Sequence, residues 1–111
     1  MEIREFMDEN GRSPFADWLE NLRDTRGRAR ILARLDRVEE GLFGDHRNLG
    51  QGIWELRFSF GPGYRIYYGL DGRTVVLLLC GGDKSSQQSD IKLARQYWQR
   101  YCRLKGRNQE L

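Results

Sequence analysis

The chain has 111 residues, 39% hydrophobic and 32% charged, with a net charge of +3. That length suits one compact domain with a modest core. No apolar run approaches the roughly 18 residues of a membrane helix and no signal-peptide pattern is present, so we expect a cytoplasmic protein with no membrane partner. Its two cysteines, Cys80 and Cys102, and its one histidine, His46, lack metal-ligand spacing. We therefore expect no disulfide framework, no metal and no cofactor.

The first quarter of the chain predicts a strand and a short helix. Glu2–Met7 is a weakly patterned strand. Ser13 followed by Pro14 is typical of a helix start, because serine caps the first turn and proline suits the first helical position. Apolar residues at helical spacing extend that helix over 14–22, with one buried face.

A second helix follows, capped by Asp24 or Thr25 and ended by Gly41 and Gly44. Its apolar residues recur at helical spacing with charged residues between them. The simplest interpretation of its basic side chains is a solvent-exposed face. These are Arg26, Arg28, Arg30, Arg34 and Arg37.

Two alternating runs around Gly61-Pro62-Gly63 predict an antiparallel hairpin, preceded over 45–52 by a loop or an irregular edge strand. A three-residue loop between Phe60 and Tyr64 places Phe58 opposite Ile66. Because side chains alternate across a strand, the hairpin has one apolar and one polar face. The predicted core face carries Trp54, Leu56, Phe58, Phe60, Tyr64, Ile66 and Tyr68, and the predicted exposed face carries Glu55, Arg57, Ser59, Arg65 and Tyr67.

The next run, Thr74–Cys80, is apolar on both faces and predicts a central strand, with the N-terminal strand on its other edge. A two-residue turn at Asp71-Gly72 pairs Leu70 with Arg73. This register places Val75, Leu77 and Leu79 opposite Tyr68, Ile66 and Tyr64, on the core face.

A capping box formed by Ser85 and Gln88 predicts the start of a last helix. Its apolar stripe consists of Ile91, Ala94, Trp98, Tyr101 and Cys102. We expect a single domain over 1–111, with a core over about 2–102 and a frayed tail over 103–111. The predicted fold is α+β in the order β-α-α-β-β-β-α. Its twisted, mainly antiparallel sheet has two N-terminal helices on one face and a C-terminal helix.

Arg57 and Arg65 are the strongest candidates for chemistry. On the predicted exposed face they lie one diagonal step apart, and two converging guanidiniums bind a phosphate and stabilise charge that develops on it. The alternative is an ion-pair ladder with Glu55. The turn at Gly81-Gly82-Asp83-Lys84 is a second candidate, because glycine amides and a lysine favour anions, although a plain strand-to-helix turn explains it equally well.

Charge is distributed unevenly along the chain. Residues 49–111 hold ten basic and five acidic residues, and 91–109 hold six basic residues and no acidic one. This asymmetry favours a polyanionic partner, with a solvated helix face as the alternative. Tyr67 on the exposed face suits stacking on a base or donating a proton. His46 is more consistent with a loop residue than with a general base.

Five segments together resemble the RelE/ParE superfamily of type II toxin–antitoxin toxins, over about residues 2–102. The closest similarity is to the HigB-like "addiction module killer protein" branch, which is related to phage host-inhibition proteins. The segments are Phe15-Ala16-Asp17-Trp18-Leu19, Trp54-Glu55-Leu56-Arg57, Gly61-Pro62-Gly63-Tyr64-Arg65-Ile66-Tyr67-Tyr68, Leu78-Leu79-Cys80-Gly81-Gly82-Asp83-Lys84-Ser85 and Asp90-Ile91.

The resemblance implies a metal-independent endoribonuclease, an mRNA interferase, that cleaves mRNA on the ribosome through attack of a ribose 2′-hydroxyl on the adjacent phosphate. It implies a cognate helix-turn-helix antitoxin as partner, which mediates any contact with operator DNA. By resemblance, Arg65 matches the arginine that stabilises the phosphate, Arg57 a basic position on the preceding strand, and Lys84 an arginine position after the last strand. Lys92 and Arg95, with Tyr67, become candidate RNA contacts.

The chain departs from that pattern where proton transfer is concerned. Glu55 stands where the prototype carries a lysine, and a tyrosine that acts there as acid or base has no counterpart, although Asp90 lies near its position. Glu55 and Asp83 are the remaining acid–base candidates. The alternative functions are a ParE-like DNA gyrase inhibitor and a catalytically weak relative that mainly binds its antitoxin.

Overall fold

The computed structural model describes residues 1–110, with side chains over 1–106. The elements are β1 (Glu2–Glu5), α1 (Pro14–Glu20), α2 (Thr25–Glu39), β2 (His46–Gly50), β3 (Ile53–Arg57), β4 (Arg65–Asp71), β5 (Val75–Gly82) and α3 (Gln87–Glu110). A short 3₁₀ turn over Lys84–Ser86 precedes α3. The five strands form a mixed sheet in the order β1-β5-β4-β3-β2, in which β1 is parallel to β5 and the other pairs are antiparallel.

This architecture confirms the α+β prediction and the central position of β5, with β1 on its other edge. The segment predicted as a loop or edge strand forms β2, which pairs with β3 through a bulge between Asn48 and Gly50. The sheet therefore has one strand more than the predicted order. Among the described residues, no helix is long and apolar enough to cross a membrane.

The predicted caps of the first two helices are confirmed. Ser13 Oγ accepts from the Ala16 amide, and the Asp24 carboxylate accepts from the Gly27 amide. These bonds satisfy amides that have no partner within the first turn. The predicted box of Ser85 with Gln88 does not form; instead, Asp83 caps the 3₁₀ turn that precedes α3, in a reciprocal box with Ser86.

The end of α3 lies in the C-terminal segment, where the helix extends through Glu110. The fraying that we expected over 103–111 stays a prediction, and Leu111 lies outside the described residues. Cys102 is exposed rather than part of the buried stripe. It lies about 100° around the helix from Tyr101, which packs on the sheet cluster, so the two side chains point in different directions.

One face of the sheet packs against α1 and α2, and its residues match the predicted core face. Leu56, Ile66 and Tyr68 are fully buried there with Ile31 and Val38 from α2. Phe58 and Tyr64 belong to the same cluster, with Trp54 and Phe60 packed at its margin. The opposite face packs against α3.

The strand registers differ from those predicted. Leu56, not Phe58, lies opposite Ile66, because the loop runs from Phe58 to Tyr64 and the Phe58 amide donates to the Tyr64 carbonyl. A two-residue shift leaves each side chain on its predicted face.

The register of β5 changes its faces. Tyr68 lies opposite Leu78, and a bulge separates that pair from Tyr67 and Cys80. Val76 and Leu78 therefore join the α1/α2 face, and Leu77 and Leu79, predicted there, pack beneath α3. The turn between β4 and β5 is longer than the two residues predicted, since Asp71 pairs with Val75.

Candidate active site

Arg57 and Arg65 form a directly opposed pair where β3 ends and β4 begins. Directly opposed side chains lie on the same face, so the sheet brings the two arginines closer than the predicted diagonal. On its other side Arg65 faces Gly82 of β5. A glycine there leaves room for the first turn of α3, since a Cβ on Gly82 would lie 1.8 Å from Asp90 Oδ2.

The guanidinium of Arg65 is hydrogen-bonded at one end and lies beside a carboxylate at the other. Its Nη1 donates to the carbonyls of Gly63 and Tyr64, both at 3.2 Å, and its Nε lies 4.0 Å from Glu55 Oε2. The side chain is 12% exposed. Nη2 forms no hydrogen bond with the described residues.

Arg57 has a different environment. Its Nη2 donates to Asp45 Oδ1 at 2.8 Å, and its side chain is 35% exposed. This bond raises the pKa of Arg57 and lowers the pKa of the Asp45 carboxyl. The alternative to a phosphate site was an ion-pair ladder in which Glu55 pairs with the arginines. In the structure, Arg57 pairs with Asp45 instead of Glu55.

The glycine loop brings Lys84 near Arg65. A Cβ on Gly63 would lie 3.4 Å from Lys84 Cβ and 3.6 Å from Arg65 Nη1, so both basic side chains flank this residue. Lys84 is exposed. We call the group of Arg65, Arg57 and Lys84, at the turn end of the β3–β4 hairpin, the arginine pocket.

Asp83, an acid–base candidate, caps the start of the 3₁₀ turn. Its Oδ1 accepts from the Ser85 amide at 2.8 Å and from Ser85 Oγ at 2.5 Å. The Ser85 hydroxyl and amide lower the pKa of Asp83. An ionised carboxylate with these partners is suited to holding the turn rather than to transferring protons.

The polar face of the hairpin was predicted to be exposed, but part of it is buried. Tyr67 and Glu55 are fully buried, because α3 covers this face of the sheet. Burial raises the pKa of Tyr67, and the nearby Glu55 charge adds to the effect. In this structure Tyr67 cannot stack on a base, and Glu55 is not in contact with solvent.

The remaining predicted contacts lie apart from the arginine pocket. Lys92 is exposed on α3. Arg95 donates to the carbonyls of Leu49 and Gly50, at 3.0 and 3.2 Å, and so ties α3 to the β2–β3 turn. His46 pairs with Leu56 in the register and therefore lies on the face opposite Arg65.

Comparison with known proteins assigns the chain to a family. The family described as "Phage derived protein Gp49-like (DUF891)" matches residues 17–99. The chain belongs to the Gp49-like family. This is a RelE/HigB-like toxin family of toxin–antitoxin systems, in agreement with the resemblance at that level. The match includes the hairpin, the arginine pocket and the first half of α3.

A protein of Haemophilus influenzae named "Uncharacterized protein" is 47% identical over 81 residues. The alignment covers 73% of this chain and 82% of the relative. This Gp49-like chain is therefore similar to the Haemophilus influenzae protein over most of both sequences, but the similarity assigns no activity.

Three polar residues around the arginine pocket were not predicted as site residues from the sequence. Gln87 donates from Nε2 to Glu55 Oε2 at 2.9 Å across 32 residues. Burial raises the pKa of Asp90, although Ser86 Oγ donates to it. Asp45 lies in a segment with no regular pattern. Gln87 and Asp90 are polar residues at the start of the helix that follows Gly81-Gly82. That position could have indicated a role near the turn, but it did not specify which residues they contact.

Proposed function

We propose that this Gp49-like protein is the toxin of a type II toxin–antitoxin system and a metal-independent endoribonuclease that cleaves mRNA on the ribosome. The observation that carries the proposal is Arg65, which is held by the loop carbonyls with Nη2 left free. A fixed guanidinium directed at a phosphate stabilises the charge that develops on it in the transition state.

The reaction proposed for this site is an internal transfer of a phosphodiester. The 2′-oxygen forms a bond to phosphorus as its proton passes to solvent water, and the bond from phosphorus to the 5′-oxygen breaks as that oxygen takes a proton from solvent water. The products are a 2′,3′-cyclic phosphate and a 5′-hydroxyl. Arg65 stabilises the phosphorane charge, with Arg57 and Lys84 adding positive potential around it.

The partners follow from the toxin assignment. We propose a cognate helix-turn-helix antitoxin that neutralises the protein and through which any contact with operator DNA is made. The ribosome and mRNA are the proposed targets. Lys92, exposed on α3, remains a candidate RNA contact, whereas Arg95 is better suited to holding the β2–β3 turn.

A second candidate function is a binding toxin, either a ParE-like inhibitor of DNA gyrase or a catalytically weak relative. The acid–base candidates favour it: Glu55 is fully buried and Asp83 is engaged as a cap. Under this alternative the arginine pocket binds an anionic partner without cleaving it.

The two candidates are separated by induced expression followed by primer extension on a reporter transcript, alongside a plasmid-supercoiling assay. We expect new 5′ ends within codons, reduced by about 10²- to 10³-fold in Arg65→Ala. Arg73→Ala, at an exposed turn position, is the matched control and should cleave normally. Intact transcripts together with inhibited supercoiling would reject the nuclease and support the gyrase inhibitor.

A further inference from the structure

A polar cluster lies beneath the arginine pocket. Glu55 and Tyr67 are a directly opposed pair on β3 and β4, and both are fully buried. Glu55 also lies beside Arg65, with Nε and Oε2 separated by 4.0 Å. A buried carboxylate is costly unless charges and hydrogen bonds compensate it, so its position beneath a basic site requires an explanation.

The hydrogen-bonding groups of this cluster are complementary. Glu55 Oε1, Arg65 Nε and the Tyr67 hydroxyl are buried and have no hydrogen-bond partner among the described residues. Arg65 Nε and the Tyr67 hydroxyl are donors, and Glu55 Oε1 is an acceptor. Because burial and the Glu55 charge raise the pKa of Tyr67, its hydroxyl keeps the proton it can donate.

The other carboxylate oxygen connects the cluster to α3. Gln87, the first residue of that helix, donates from Nε2 to Glu55 Oε2 at 2.9 Å. Gln87 thus links the start of α3 to the carboxylate that faces Arg65. One side of the guanidinium is held by the loop carbonyls of Gly63 and Tyr64, and its Nε edge faces Glu55.

This arrangement argues against Glu55 as a general base. A base must reach the proton that it removes, directly or through one water molecule, whereas Glu55 has no exposed surface. Its surroundings instead suit a group that fixes a neighbour. Preorganised donors stabilise a transition state without reorganising during the reaction. The Glu55 carboxylate, 4.0 Å from Arg65 Nε, attracts that edge of the guanidinium, and Nη2 lies at the other end.

We propose that Glu55 is a positioning residue for Arg65, and that Gln87 fixes Glu55 from the start of α3. The catalytic part of this inference rests on the proposed nuclease function, whereas the positioning itself is a property of the free protein. The start of α3 thereby controls the orientation of the arginine.

The first test is made on the free protein and needs no activity. We expect Gln87→Met to speed the solvent exchange of the Arg65 Nε–H, followed by NMR on ¹⁵N-labelled arginine, several-fold over wild type. Gln88→Met is the matched control, because Gln88 is the next residue on the same helix and is exposed. Its exchange should equal that of wild type. Equal exchange in the two variants would overturn the proposal.

The second test uses cleavage kinetics on programmed ribosomes. We expect Glu55→Gln and Gln87→Met to lower kcat by roughly tenfold to a hundredfold, with KM within about twofold, because the phosphate still binds beside a misdirected guanidinium. The pH dependence of Glu55→Gln should keep the shape of the wild-type profile. A lost acidic limb would instead identify Glu55 as a base and contradict positioning.

The two tests fail separately. If wild type shows no cleavage, the proposed function fails, and the exchange measurement still decides whether Glu55 and Gln87 hold Arg65. If Glu55→Gln does not fold, Gln87→Met carries both measurements, since it leaves the carboxylate in place. A raised KM with unchanged kcat in Gln87→Met would also contradict the proposal.

Discussion

The two faces of the sheet differ in what they bury. The face beneath α1 and α2 is a continuous apolar and aromatic cluster that includes Leu56, Ile66 and Tyr68. The face beneath α3 has a smaller apolar cluster and also contains the carboxylate of Glu55 and the hydroxyl of Tyr67. We infer that the first face mainly provides stability, and that the second gives up part of its apolar contact to support the arginine pocket.

The largest expected effect is at Leu56, which has no exposed surface on the α1/α2 face. We expect Leu56→Ala to reduce the free energy of unfolding by about 2–5 kcal/mol, because it removes buried methyl groups and leaves a cavity. Urea denaturation monitored by circular dichroism measures this change.

Leu42→Ala is the matched control, since Leu42 is 60% exposed. It should change the free energy of unfolding by less than about 0.5 kcal/mol. Similar losses in the two variants would contradict the assignment of Leu56 to the main stabilising face.

Sequence patterns predicted the strands and helices on both faces of the sheet. They predicted correctly which hairpin side chains are buried beneath α1 and α2, but not which are buried beneath α3. Alternation in the hairpin identified the apolar face correctly, and a register error of two residues did not alter it. The turn before β5 was longer than predicted and a bulge followed, so the face assignment of Leu77 and Leu79 was wrong. Local sequence does not determine where a bulge occurs, because packing on both faces decides it.

The burial of Glu55 and Tyr67 could not be predicted for a different reason. Their polarity and alternation with apolar residues are typical of a solvated sheet face. The apolar stripe of α3 indicated a helix with a buried side, but not the face on which it packs. Contacts such as Gln87 with Glu55 join residues 32 apart and depend on that choice.

Two glycines allow the packing on the two faces to be compared, because each lies against a tryptophan of the covering helix. A Cβ on Gly81 would lie 2.3 Å from the ring of Trp18 in α1, and a Cβ on Gly69 would lie 2.3 Å from the ring of Trp98 in α3. We expect Gly81→Ala and Gly69→Ala each to cost about 1–3 kcal/mol, because each tryptophan must move. Urea denaturation gives the loss, and amide hydrogen exchange locates it in α1 or in α3.

Gly106→Ala is a control that should change the free energy of unfolding in the opposite direction. Gly106 lies within α3, and a Cβ there meets nothing within 4 Å. Alanine should stabilise the helix by about 0.5–1 kcal/mol. If Gly69→Ala were equally stabilising, the close packing of α3 on its face of the sheet would be wrong.

The smallest expected effect compares two carboxylates near the start of α3. Burial raises the pKa of Asp90, which faces Gly82 of the sheet, whereas Ser85 lowers the pKa of Asp83 on the outer side. Above the unfolded pKa of about 3.9, folded Asp90 still holds a proton that the unfolded chain has lost. The folded state then binds more protons, so Asp90 makes stability fall as pH rises through this window.

Asp83 should act in the opposite direction. Its lowered folded pKa contributes stability that is present above the unfolded pKa and is lost as pH falls through the folded pKa. Asp90→Asn and Asp83→Asn should therefore change the pH dependence of the free energy of unfolding with opposite signs, each by less than the preceding substitutions. Urea titrations from about pH 3 to pH 7 measure both slopes. If the two substitutions changed the pH dependence with the same sign, the burial of Asp90 and the hydrogen bonding of Asp83 would not have the opposite effects on their pKa values that the structure indicates.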